Sequence, residues 1–141
     1  MRKRALTLVE VMVTLSIIVL LAVIVISSLL SQKIIGNERK AQEGLLIISG
    51  AYEAYSTQHK GNYSVTLKDL SNQGIYNPPY LKVDYSAGAN NGYTFSCTEN
   101  NAGYVCIAKP AKLKETGTKT FSVCTGGVLR EAVGETAPAC P

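Results

Sequence analysis

Arg2-Lys3-Arg4-Ala5-Leu6-Thr7-Leu8-Val9-Glu10 is the stretch on which the reading of this chain turns. Three cations precede a small residue and an apolar segment that carries one carboxylate, and from Val11 to Leu30 there is no charge. A helix needs about 20 consecutive apolar residues to cross a hydrocarbon core, so the segment predicts a membrane-spanning helix. A carboxylate inside it costs roughly 2.5–3.5 kcal/mol on insertion scales, and an acid held at that cost implies a partner and a task. A secretory signal peptide has about 7–15 apolar residues followed by a small-x-small site. This run is longer, contains Glu10 and ends in Ser27-Ser28-Leu29-Leu30 without such a site. A plain signal anchor accounts for the length and for a cytoplasmic Arg2-Lys3-Arg4 cluster, but not for the offset of Glu10 from Ala5-Leu6.

The pattern resembles the N-terminus of type IV prepilins and of the pseudopilins of secretion and competence systems. The resemblance runs through Arg2–Ile26 and is architectural beyond the helix. It implies cleavage by a prepilin peptidase between Ala5 and Leu6, methylation of the new N-terminus at Leu6, and an assembly role for Glu10, with Thr7, Leu8 and Val9 fitting the positions between. Ala5 stands where the family commonly has glycine, and Leu6 where it commonly has phenylalanine. The resemblance further implies that Glu10 attracts the cationic amine of the next subunit during polymerisation. Within one subunit the same acid faces its own amine, because residues i and i+4 are neighbours on a helix. Many such pilins carry a proline where Ser27 stands, so nothing here predicts a melted segment.

The chain has 141 residues, enough for one long helix and one small head. Its formal charge of +4 includes Arg2, Lys3 and Arg4; without them eleven basic residues face ten acidic ones. Nothing in that balance makes nucleic acid an obligatory partner. Lys109, Lys112, Lys114 and Lys119 form a candidate basic edge for DNA phosphates, equally readable as charges that keep a sheet edge from pairing.

Cys97, Cys106, Cys124 and Cys140 all follow the apolar segment. On the far side of the membrane they enter an oxidising compartment, and an even count in a small head reads as two disulfides. Tyr93–Cys97 and Tyr104–Ala108 read as strands joined through Asn100-Asn101-Ala102-Gly103. A two-residue turn at Asn101-Ala102 sets Cys97 opposite Cys106 as a non-hydrogen-bonded pair, about 4.5 Å apart at Cα and within disulfide reach. That leaves Cys124 with Cys140. A metal site is disfavoured: there is no CxxC, and His59 is remote.

From Ser31 to Gln58 the helix continues. Ile34, Ala41, Leu45, Ile48, Tyr52 and Tyr55 make one stripe, suited to packing on a sheet. A helix from Leu6 to Gln58 would run roughly 80 Å. Gly44 and Gly50 offer places for a strand to approach closely. Thr66 caps a short helix that Gly74 stops, Asn77-Pro78-Pro79 links, and further strands are predicted near Lys119–Cys124 and Val128–Ala132, with loops over 84–91 and 109–118. The fold expected is α+β, pilin-like: a long N-terminal helix whose amphipathic half packs on a small antiparallel sheet. The domain reading is a leader at 1–5, a transmembrane and polymerisation half at 6–30, and a head at 31–141 that includes helical residues 31–58.

No GxSxG, HExxH, P-loop or dinucleotide pattern is present, so no enzyme activity or cofactor is expected. The oxygen-rich run 84–91 has a single carboxylate and lacks EF-hand spacing. The expected function is a structural subunit of a type IV pilus or related filament, disulfide-bonded and displayed at the cell surface. Its expected partners are copies of itself or other pilins, prepilin peptidase and the inner-membrane assembly machinery. Before assembly it would be a single-pass inner-membrane protein with a cytoplasmic N-terminus and its head outside. The alternatives are a pseudopilin of a secretion or competence system, or an uncleaved membrane-anchored binding module.

Overall fold

The computed structural model describes residues 6–140, so Ala5 and the rest of the 1–5 leader lie outside the described residues. Helix α1 spans Leu8–Gln58, and the structure parts into two compact units after Lys33. The head unit holds the C-terminal part of α1, a one-turn helix α2 (Leu67–Leu70), and five antiparallel strands in sequential order: β1 (Ala89–Asn90), β2 (Tyr93–Asn100), β3 (Gly103–Pro110), β4 (Lys119–Cys124) and β5 (Val128–Val133). This is the expected α+β layout.

The helical stripe is the core. Ala41, Leu45, Ile48, Tyr52 and Tyr55 are all buried, while Ile34 is half-buried. They meet alternate residues of the sheet: Tyr93 and Phe95 of β2, Tyr104, Cys106 and Ala108 of β3, and Phe121 and Val123 of β4. Tyr52 stacks on Tyr104 with ring centroids 4.6 Å apart. Phe95 comes so close to the helix that a Cβ on Gly44 would lie 3.0 Å from its ring, so Gly44 does admit a strand. Gly50 does not: a Cβ there meets nothing within 4 Å, because it lies on the face turned from the sheet.

Helix α1 stops where Lys60 and Gly61 take positive φ, 57° and 82°, and the Gly61 N–H returns to the Ser56 carbonyl at 2.8 Å. Thr66 caps α2 as expected, its hydroxyl accepting from the Asp69 N–H at 3.2 Å. The cap at the other end is Ser71, not Gly74: the chain turns as soon as Leu70 has been buried. Strand β1 falls in the run read as a loop. Asn91 (φ 51°) and Gly92 (φ 79°) form a two-residue turn that pairs Asn90 with Tyr93, and Asn-Gly is the strongest short hairpin signal. The next hairpin turns at Asn101-Ala102, so Cys97 faces Cys106.

One core group is unsatisfied. The Tyr52 hydroxyl is fully buried without a hydrogen-bond partner among the described residues. Burial first, then the negative charge of Glu99, pushes its pKa well above the ordinary value; burial also raises Tyr104 and Tyr93 to about 12. Raised phenol pKa values contribute stability that is complete below pH 10 and lost as pH rises from about 10 towards 12. Tyr52→Phe removes an unpaired buried hydroxyl, and we expect it to raise stability by about 1 kcal/mol and to soften the alkaline loss. Urea unfolding at pH 7 and pH 11 measures both; a destabilised Phe variant would mean the hydroxyl is paired.

Candidate assembly segment

Thr7 and Glu10 open helix α1 together. The Thr7 hydroxyl accepts the Glu10 N–H at 3.2 Å, and the Thr7 carbonyl accepts the Val11 N–H at 3.2 Å. Thr7 is therefore the N-cap and Glu10 the third helical residue, the Thr-x-x-Glu arrangement of a capping box. That spacing stands in the sequence, where it was read only as the family's motif. The acid also sits at the positive end of the helix dipole.

From Leu6 to Leu30 every residue is exposed in the isolated chain. Leu8 is 78% exposed, Leu20 and Ile24 68% each. A helix that is apolar on all sides has no stable place in water; it belongs in lipid or in protein. The few hydroxyls along it do not spoil that match. Thr14 donates to the Val11 carbonyl at 2.9 Å, Ser16 to Met12 at 2.8 Å and Ser27 to Ile24 at 3.0 Å, so these three are satisfied within the helix, as a membrane segment requires. Helix α1 continues through Ser27. It is long and apolar enough to cross a membrane. Among the described residues the ion pairs are Lys112–Glu115 and Lys119–Glu131, so the one carboxylate of this segment, Glu10, has no cation there.

Residues 1–30 match the family described as the prokaryotic N-terminal methylation motif, the leader signature of type IV pilins. The chain carries a type IV pilin leader. Proteins with this leader are structural pilin-like subunits rather than enzymes, and the leader implies prepilin processing, membrane anchoring and filament assembly in general terms. Comparison with curated proteins and with solved structures returns no significant match.

Behind the pilin leader signature, several of the head's candidate polar groups have partners within the head. Lys112 pairs with Glu115 at 3.3 Å and Lys119 with Glu131 at 3.1 Å, which takes two cations out of the candidate basic edge. The Asp84 carboxylate accepts the Ser86 N–H and hydroxyl at 2.8 and 2.6 Å, bonds that hold its pKa below the usual range. The imidazole of His59 stacks on Tyr55 at 3.9 Å, and its Nδ1 bonds the Tyr55 carbonyl. Among the described residues no group of three or more His, Cys, Asp or Glu side chains is placed to hold a metal ion.

Two features escaped sequence reading. Glu53 binds three separate segments: Oε2 accepts from the Tyr63 hydroxyl at 2.8 Å, Oε1 from the Tyr104 hydroxyl at 3.2 Å and from the Gly126 N–H at 2.9 Å. Glu38 does likewise for the start of β4, taking both the N–H and the hydroxyl of Thr118, at 2.9 and 2.7 Å. Both carboxylates lie on the polar side of the helical stripe, where sequence offers nothing to separate a tether from a solvated charge.

Proposed function

We propose that this chain is a structural subunit of a type IV pilus or pilus-like filament. It is cut by prepilin peptidase between Ala5 and Leu6, methylated on the Leu6 amine and polymerised through residues 6–30, with residues 31–141 as the displayed head. The observation that carries the reading is the apolar helix over residues 6–30, in which Glu10 is the one charged residue, in register with the methylation motif. Once the leader is removed, the Leu6 amine is a cation in a region of low dielectric, where its attraction to a carboxylate is many times that in water. The Glu10 carboxylate, near the dipole's positive end, is placed to receive it. The partners are then other copies or other pilins, the peptidase and the inner-membrane assembly machinery. The location is the inner membrane before assembly, with the N-terminus cytoplasmic, and the filament afterwards.

The test is a non-reducing intact mass of the protein from sheared surface filaments and from washed membranes. A species that begins at Leu6, carries one methyl group and lacks the four thiol hydrogens is expected in the sheared fraction. The same species in membranes alone assigns the chain to a pseudopilin or a minor subunit. An intact leader in every fraction overturns the reading in favour of an anchored binding module.

A further inference from the structure

The two disulfides occupy opposite sides of the sheet. Cys97–Cys106 joins directly facing residues of β2 and β3 on the core side, where Cys106 is fully buried against the helix. Cys124–Cys140 joins the end of β4 to the C-terminal tail. Both of its cysteines line an open cavity of about 350 Å³ together with Thr98, Asn100, Val105, Thr125 and Val128. Cys124 is 6% exposed, whereas Cys140 is half-buried.

What the second disulfide fastens is a strap. From Gly134 to Cys140 the chain forms no strand, yet it crosses the outer side of β4. The Gly134 N–H donates to the Thr118 carbonyl, the Thr120 hydroxyl to the Gly134 carbonyl and the Ser122 hydroxyl to the Pro138 carbonyl. Phe121 and Val123 point to the core, so Thr120, Ser122 and Cys124 alternate onto the other face. Thr120 and Ser122 are 0% exposed, although the face they occupy is not the one the helix covers. The tail meets this face through the Pro138 carbonyl, and its Ala137-Pro138-Ala139 run carries little apolar area to bury.

We propose that Cys124–Cys140 is a site of thiol–disulfide exchange for a dithiol reductant, and that its opening releases the 134–140 strap from β4 while Cys97–Cys106 stays closed. A reductant thiolate entering the cavity attacks Sγ of Cys140, the more exposed of the two residues. The S–S bond breaks, and Cys124 leaves as a thiolate that takes up a proton. The second thiolate of the reductant then attacks its own sulfur in the mixed disulfide. Cys140 is released as a thiolate, which is protonated in turn, and the reductant departs as its disulfide. Two electrons pass to the protein. Exchange rates follow access to the attacked sulfur; Cys106 is fully buried and Cys97 is half-buried against the core, and neither lines the cavity through which the reductant enters. The released strap uncovers the hydroxyl row of β4, and reoxidation closes it again.

The experiment uses the full chain in detergent micelles. It is titrated with dithiothreitol and quenched with iodoacetamide, and each cysteine is assigned by peptide mass. Strap release is read in parallel as Glu-C cleavage of the Glu135–Thr136 bond. Labelling of Cys124 and Cys140 is expected at a dithiothreitol concentration at least about tenfold below that for Cys97 and Cys106. Cleavage after Glu135 is expected to accelerate at least about tenfold on reduction, and Cys140→Ser should be cut at the fast rate without reductant. Joint or reversed labelling overturns the exchange site. Unchanged cleavage, in the reduced protein or in Cys140→Ser, overturns the strap.

Discussion

A Glu10→Val subunit is expected to reach the membrane, lose its leader and fold its head normally, yet to enter filaments at least about tenfold less efficiently than wild type. The valine side chain is at home in an apolar helix and removes a charge that costs roughly 2.5–3.5 kcal/mol to insert, so the membrane-anchored subunit should be, if anything, more stable. What it removes is the counter-charge for an amine in low dielectric, and 1.4 kcal/mol of that attraction corresponds to a factor of ten. The helix start survives the change. Thr7 caps through the backbone N–H of residue 10, at 3.2 Å, which valine retains. Loss of assembly would therefore report on the carboxylate and not on fraying. The measurement is the ratio of processed subunit in sheared filaments to that in membranes; a wild-type ratio sinks the proposed assembly role.

Glu53→Ala should cost the head about 2–4 kcal/mol, seen as a lower urea midpoint with an unchanged slope. Hydrogen bonds to a charged acceptor contribute about 1.5–3 kcal/mol each. Here the carboxylate joins the helix to Tyr63 in the turn after it, to Tyr104 on β3 and to Gly126 between β4 and β5. The three do not add in full. Gly126 is exposed and finds water, and the Tyr104 hydroxyl keeps its 2.7 Å bond to Ser49. Glu53→Gln, which preserves the shape and both oxygen-side contacts less well, should fall between wild type and alanine. A Glu53→Ala midpoint equal to wild type would make this carboxylate a solvated charge and leave the stripe alone to hold the sheet.

The parts of this protein that were legible in its sequence are those with a period or a fixed short spacing. The apolar run and its carboxylate mark the membrane segment because lipid imposes length and polarity directly on composition. The stripe from Ala41 to Tyr55 identified the face of α1 that packs on the sheet, since helical geometry maps sequence spacing onto one side. Antiparallel register made Cys97 and Cys106 neighbours once their turn had two residues. The Thr7–Glu10 capping box and the Asn91-Gly92 turn were equally local, and their signals were present but unused.

Contacts between residues far apart in the chain were another matter. Glu53 and Gly126 are 73 positions apart, Glu38 and Thr118 are 80, and no local rule brings either pair together. Nor did the sequence tell Gly44 from Gly50: only the position of Phe95 separates a glycine that makes room for a ring from one that faces open space. The pairing of Lys119 with Glu131 likewise waited on the register of β4 against β5.

By itself, then, the sequence determined that this chain carries the leader signature of type IV pilins and an apolar helix long enough to cross a membrane, which continues as an amphipathic one beside a small sheet with four cysteines. Those features depend on composition and on intervals of a few residues, which the covalent chain fixes before it folds. Tertiary structure alone decided which carboxylates tether the head and which glycine a ring approaches. It also decided that one disulfide packs on the core side of the sheet while the other fastens a strap beside an open cavity. Such outcomes depend on which surfaces are left uncovered once the sheet has packed, a property of the whole head and not of any interval in its sequence.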